Sequence, residues 1–521
     1  MCCIGIVLIL LLPIVSLCQK AFESPHNDLY YLWDSLLLDY SLNTLYLILI
    51  ASSVSLFFGI FPAWLVSTYQ FRFRNFFDLT LYLPLAIPTY IMAFTYSDLL
   101  SYTGSFQSLI RHHFPLASDI VNQDYLQIEI LGCILGFALY PYVYTAARVS
   151  FGFVGASYIN MSKNLGLSNN QIFYKVLLPL SRPAIFSGLF LVVMEILNEY
   201  GAVKYFGVNT FTTGIFKAWF SMGNEGTAIQ LSFFLVFFVF LILFIEKQSQ
   251  KSARYFYEAN TNKIVLQIPS LSKQVFIYLV CVLPLILCFV IPFSHIFMNS
   301  IREFSTIDFG HLFLLCLNSV KVASFSALMI VLIALFLLFV EKISKHKIST
   351  FLNQVISLGY VIPGAVIGLG IILLFTQTPY FKSIPLVGSF FVLIYAYVFR
   401  FLAVGKSPIK SSLEKQPESF DDTAKNLGLS PLRILRKIHL PISGMALVIS
   451  FIVTFIDLLK ELPITLILRP FNFDTLATQT YEFAVEEMLQ KSSVYSLAII
   501  IMGSCLLILL KYITNKQINA S

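Results

Sequence analysis

Charge is what this 521-residue chain has least of: only 12% of its residues are Asp, Glu, Lys or Arg, about half the roughly 25% of a soluble domain. Combined with 58% hydrophobic residues and a mean hydropathy of +0.81, this excludes an ordinary soluble enzyme or scaffold. Strict apolar–polar alternation over segments of about 10 residues, which a membrane barrel requires, is also missing. Apolar runs of about 20 residues recur instead, the length that crosses a hydrocarbon core. Lipid offers the backbone no hydrogen-bond partner, so such runs must be helices. The chain reads as an all-α polytopic membrane protein.

Other absences narrow the chemistry. The eight cysteines lie in or beside apolar runs and show no ligand spacing, so neither a disulfide framework nor a metal centre follows. Gly405-Lys406-Ser407 imitates the end of a phosphate-binding loop, but Arg400 stands where that motif needs its first glycine. With no other nucleotide signature, ATP chemistry belongs to a separate chain, and no cofactor is assigned to this one. His112-His113 reads as an ordinary loop pair. No basic residue precedes the first apolar stretch, Cys2 to Leu17, as one would in a cleaved signal peptide, so it is taken as a first helix. The net charge of +7 could suit nucleic acid, but Lys and Arg gather in loops on one side. That asymmetry orients helices in a bacterial inner membrane and implies no nucleic-acid partner.

Twelve spans are expected, in two tandem six-helix halves at residues 1–245 and 274–521. After the first helix and an outer segment to Tyr40, spans fall at 41–67, 79–101 and 127–147. A loop with Arg111, His112, His113 and Asp119 precedes the last of these. The fifth begins at Pro183, where a missing amide costs nothing in a first turn. An outer excursion, Gly201 to Glu225, precedes the sixth at 226–245. Residues 246–273, with Lys247, Lys251, Arg254, Lys263 and Lys273, read as a basic cytoplasmic linker. Spans then recur at 274–294, 316–340, 353–375, 388–405, 442–463 and 493–512. Leu42-Asn-Thr44 matches Leu317-Asn-Ser319 and Pro88 matches Pro363 at an offset of 275 residues, which becomes 262 further on. A fixed offset with one compensating length change marks a tandem repeat, and such repeats usually enclose a pathway between them. Pro88 and Pro363 are expected to kink their helices.

The clearest repeat is polar. Lys163-Asn-Leu-Gly166-Leu-Ser168 recurs as Lys425-Asn-Leu-Gly428-Leu-Ser430, and Leu178-Pro179 and Leu440-Pro441 follow at equal distance. Each copy lies between two apolar runs. The glycine permits a sharp break between two short helices, and Pro431 opens the second of them. Interfacial helices could explain one such elbow; two equivalent elbows point to two equivalent partner sites.

These residues resemble a known family. Asp422-Thr-Ala424, Gly428, Ile438 and Leu440-Pro441 are similar to the "EAA" loop of ABC importer membrane subunits. In that family each loop seats a coupling helix in a cleft of a cytoplasmic ATPase. The first elbow keeps Gly166, Val176 and Leu178-Pro179 but has Asn160-Met-Ser162 where Glu-Ala-Ala would stand. Met194-Glu-Ile-Leu-Asn-Glu-Tyr-Gly201 and Lys460-Glu-Leu-Pro463, with the stretches after them, resemble fused two-domain ferric-iron permeases; thiamine permeases share that architecture. The resemblance implies a type I ABC importer permease-like fold, two ABC ATPase subunits and a periplasmic binding protein as partners, and coupling through Asn160, Ser162, Lys163, Asp422, Ala424 and Lys425.

Ionisable residues within spans are costly and default to function. Glu195 and Glu199 are four apart, which in a helix shares one face, and the 262 offset pairs them with Asp457 and Glu461. Counting about 1.5 Å per residue from Pro183 puts Glu195 roughly 18 Å into a core of about 30 Å, with Glu199 near the outer mouth. These four acids are candidates for lining the translocation path, where hard oxygen suits a hard cation. The plainer alternative is that they pair with Lys460 or Lys321 or cap helix ends. A proton-coupled secondary transporter would use the same acids as proton carriers, but it has no need of matched elbows.

Overall fold

The computed structural model describes residues 2–23, 36–114, 123–153, 155–251, 266–344, 346–377 and 386–520; Asp119, Arg254 and Lys263 lie outside them. The apolar runs are helices, and among the described residues the only β-type pairing is an isolated bridge between Tyr69 and Gln267. In the first half the elements are α1 (Cys2–Glu23), α2 (Leu37–Thr68), α3 (Thr89–Leu100), α4 (Ile128–Phe153), α5 (Gly155–Asn164), α6 (Leu178–Asn198), α7 (Gly201–Tyr205), α8 (Phe211–Phe216) and α9 (Glu225–Lys251). The second half has α10 (Leu271–Leu285), α11 (Ile291–Glu303), α12 (Phe309–Ser344), α13 (Lys347–Ser357), α14 (Gly364–Gln377) and α15 (Phe390–Glu414). It continues with α16 (Glu418–Asn426), α17 (Leu440–Leu459), α18 (Pro463–Leu468), α19 (Leu476–Val485) and α20 (Leu489–Ala520). Among the described residues ten stretches are long and apolar enough to cross a membrane, or up to twelve with each of two bent helix pairs counted as one span.

The kinks expected at Pro88 and Pro363 are present and sharp: the segments expected at 79–101 and 353–375 bend by 90° before Thr89 and by 107° before Gly364. Pro88 and Pro363 sit at the breaks, where the missing amide and ring clash forbid a straight helix. The helices also outlast the apolar runs: α12 has 36 residues, and the first span of the second half covers Leu271–Glu303. Hydropathy falls at the first charge, whereas helical hydrogen bonding continues into the polar boundary. The expected outer excursion after Gly201 is a folded part of the bundle. It contains α7 and α8, with Ala202, Val203, Phe211 and Ile215 buried; its apolar pieces are too short to span, so they fold back and bury.

Small residues set the packing. Against α4, α2 comes so close that a Cβ on Gly136 would lie 2.6 Å from Val54 Cβ, and one on Gly59 2.8 Å from Val143 Cβ. In lipid, close backbone approach and the dispersion contacts it allows replace the hydrophobic drive as the source of helix association. The halves also exchange their first helices. A Cβ on Gly370 in α14 would meet the Pro13 carbonyl of α1 at 2.6 Å, and Tyr395 of α15 donates to Ile9 O. Reciprocally, His295 and Asn299 of α11 reach Asp98 of α3 at 2.7 and 3.0 Å.

Gly136→Leu should therefore destabilise the detergent-solubilised protein by about 1–3 kcal/mol through overpacking. Gly152→Leu, at a position with nothing within 4 Å of the new Cβ, should leave the melting temperature unchanged.

Candidate functional site

The two elbows have one backbone. Gly166 and Gly428 take φ of +80° and +73°, at the end of α5 and α16. Leu167 N donates to Ser162 O at 3.1 Å and Gly166 N to Lys163 O at 2.9 Å; Leu429 N to Ala424 O at 3.0 Å and Gly428 N to Lys425 O at 2.9 Å repeat the pattern. This is the glycine-terminated helix end in which the last carbonyls are satisfied by amides beyond the turn. Five-residue π turns follow, Phe173–Leu177 and Leu435–His439, at the 262 offset. Each directly precedes Leu-Pro, whose proline cannot supply the usual amide. The expected second helix of each elbow is thus continuous with the span after it, and α6 begins at Leu178 rather than Pro183.

Asn160, Lys163, Asp422 and Lys425 are exposed, as are Gly166, Gly428 and Pro441. Leu178, Pro179 and Leu440 are half-buried. Ser162 and Ala424 face inward, with Ser162 Oγ donating to Tyr158 O at 2.6 Å. Sequence reasoning missed the apolar knobs. Tyr158 and Phe420 are 44% and 43% exposed, and Leu165 and Leu427 are 76% and 75% exposed, at matching positions of the two elbows. Both leucines stand beside charged residues, Lys163 and Lys425, two positions before them. The repeated Leu165/Leu427 pair was the available signal.

All four candidate acids line one cavity of about 60 Å³ between the halves, together with Asn198, Arg400 and Lys460. Glu195 and Glu199 both line it, α6 ending at Asn198 with Glu199 as the residue that turns the chain away (φ −67°, ψ 124°). Glu199 thus lies in this cavity. Its carboxylate accepts from Ala202 N at 2.9 Å and from Thr89 Oγ1, capping α7. Glu461 does the same for α18, accepting from Ile464 N at 3.0 Å and from Thr465 N and Oγ1 at 3.1 and 3.0 Å. Lys460 rather than Lys321 pairs with Asp457, at 3.0 Å.

Several bonds cross between halves at this level, Tyr142 meeting Lys460 among them. Tyr360 Oη donates to Glu195 at 2.7 Å, and Gly364 N donates to Asn198 Oδ1 at 2.7 Å. Tyr360 and Asn198 were not singled out from the sequence, although Asn198 is the 262-offset counterpart of Lys460, and Arg400 was noted only for breaking the phosphate-loop pattern. The decoys take plain roles. Lys406 Nζ donates to Asn353 O at 2.6 Å and Ser357 Oγ at 3.0 Å, tying α15 to α13. The His112 and His113 rings face each other at an exposed helix end. Among the described residues no group of three or more His, Cys, Asp or Glu could hold a metal.

If Glu461 is a cap, Glu461→Ala leaves two buried amides unpaired, each worth about 1–3 kcal/mol, while Glu461→Gln retains an acceptor. Thermal melts should rank wild type, then Gln, then Ala. Equal melting temperatures for the two variants would contradict the capping role.

Two stretches of the chain, residues 55–255 and 330–518, match the family described as binding-protein-dependent transport system inner membrane component. The chain is 25% identical over 478 residues to the Fe(3+)-transport system permease protein FbpB 2 of Haemophilus influenzae, covering 90% of this chain and 88% of that protein. It is 29% identical over 167 residues to the sulfate transport system permease protein CysT of Salmonella typhimurium, covering 32% of this chain and 57% of the other. Over 230 residues it is 24% identical to the molybdenum transport system permease protein ModB of Escherichia coli, covering 43% of this chain and 95% of that one.

Proposed function

The chain belongs to the family of binding-protein-dependent transport system inner membrane components, and from that premise we propose that it carries ferric iron across the inner membrane in an ATP-driven importer. It is a multi-pass transport subunit. Two separate ABC ATPase subunits dock on its elbows, one each, and a periplasmic binding protein delivers the substrate. This chain holds no cofactor of its own; ATP is bound and hydrolysed by the partners. Nucleotide binding swings the two halves between outward- and inward-facing states, a rigid-body switch about their shared interface.

The observation that carries the docking half of this reading is the matched exposure of Leu165 and Leu427 on elbows of matching backbone. Interfaces concentrate their energy in a few apolar anchors, and two equivalent anchors fit two equivalent partners. A proton-coupled carrier gives no reason for them. Iron as the cargo is supported by the long similarity to the Fe(3+) permease and by the cavity, where four carboxylates face two cations, Arg400 and Lys460. That lining favours a cation over the oxyanions that the sulfate and molybdenum permeases are named for. Glu199 and Glu461 are committed to caps, so Glu195 and Asp457 are the acids left to set the electrostatics of the passage.

Leu165→Glu together with Leu427→Glu should weaken ATPase association by about tenfold or more without lowering the melting temperature, read by co-purification of the complex. In proteoliposomes loaded with the binding protein and ATP, Glu195→Gln and Asp457→Asn should each slow ferric-iron uptake severalfold. Uptake at the wild-type rate in both would remove these acids from the passage, and uptake without any ATPase would favour the proton-coupled carrier.

A further inference from the structure

The second elbow contains a buried polar joint that the first lacks. His439, 0% exposed, ends the π turn before α17. Its Nε2 lies 2.7 Å from Asp421 Oδ1 on α16, itself 2% exposed. On its other side, Nδ1 lies 2.6 Å from Gln416 Oε1, just past α15. Gln416 Nε2 donates to Ser443 Oγ of α17 at 2.9 Å, and Ser412 Oγ of α15 donates to the same oxygen at 3.1 Å. Lys342 Nζ of α12 closes the set by donating to Leu413 O at 2.6 Å and Gln416 O at 3.1 Å. One run of bonds therefore joins four helices at the foot of α17.

At the 262 offset the first half places Ile159 where Asp421 stands and Leu177 where His439 stands, both buried. Ser181, opposite Ser443, has no hydrogen-bond partner for its Oγ among the described residues. The first elbow is braced from its surface instead. Asn169 Nδ2 donates to Gln267 Oε1 at 2.9 Å, and Gln70 N to Gln267 O at 2.8 Å, tying it to the chain that leads into the second half.

We propose that Asp421, His439 and Gln416 are positioning residues that make the second elbow the stiff transmission element, while the first elbow is compliant. Hydrogen bonds weaken steeply with small changes in angle and distance, and a buried polar pair has no water to replace a lost partner. Apolar contacts are non-directional and slide at little cost. A push on α16 therefore turns α17 as one body, and α17 carries Asp457 and ends at the Lys460–Glu461 break that lines the central cavity. The inference rests on the reading that the elbows dock ATPases.

The test gives the second elbow the first elbow's chemistry. Asp421→Ile/His439→Leu in the full importer, reconstituted in proteoliposomes, should still bind its ATPases and hydrolyse ATP, while iron imported per ATP falls by about tenfold. Gln416→Leu, which leaves the Asp421–His439 contact in place, should lower the same ratio in the same direction. Asp421→Asn/His439→Gln, which keeps hydrogen-bonding groups, should recover most of it, as a merely space-filling role would not. Ile159→Leu in the first elbow should leave the ratio at the wild-type value. A wild-type ratio in both Asp421→Ile/His439→Leu and Gln416→Leu overturns the proposal, as does a loss of hydrolysis in step with transport. Failure of the unaltered protein to bind an ATPase would instead sink the docking reading itself.

Discussion

A backbone amide inside a membrane has no water to turn to, and the architecture follows from where this chain interrupts its own helices. Unbroken spans satisfy themselves. Each break strands donors and acceptors in a medium where an unpaired one costs several kcal/mol. The chain breaks at Pro88, after Asn198, at Pro363 and after Leu459, and at each level polar side chains converge: Thr89 and Glu199, Asn198 and Gly364 N, Glu461 and the amides of α18. Carboxylates that the charge-poor composition would otherwise exclude are held there because helix N-termini need them. The central cavity is thus a consequence of the capping problem, with Glu195, Asp457 and Lys460 added to it.

The same constraint explains why two halves from one repeat do not behave as identical units. They share the elbow backbone, the π turn before Leu-Pro and the refolded segment after the fifth span, because backbone geometry follows from glycine, proline and helix ends. They differ where a side chain meets another helix. Ile159 and Leu177 face one joint, and Asp421 and His439 the other. Exchange of the first helices, α1 onto α14 and α11 onto α3, then gives each of the two unlike halves a helix from the other. A motor pushing equally on both elbows would meet a stiff lever on one side and a yielding one on the other.

Helix identity, the repeat and both elbows were legible because each rests on a local rule: run length, a constant offset, a glycine at positive φ. The four acids were found by the cost of charge in an apolar run. That Glu199 also accepts from an amide of the next short helix was not legible, since that amide lies beyond the break after Asn198. Tyr360 and Asn198 went unremarked because a Tyr or Asn inside a span carries no pattern until its partner 165 or 166 residues away is known. The Asp421–His439 joint escaped for the same reason, while its exposed neighbour Asp422 was noticed through a motif.

The sequence by itself determined that this chain spans a membrane as helices, that it does so twice over, and that two polar elbows join the spans. Those features depend on short-range backbone chemistry and on hydropathy summed along the chain. Tertiary structure alone decided which of the cavity's acids also cap helices, which elbow holds a buried polar joint and which is braced from its surface, and how the halves exchange helices. Those depend on contacts between residues far apart in the chain, where the identity of the partner, and not of the residue, sets the energy.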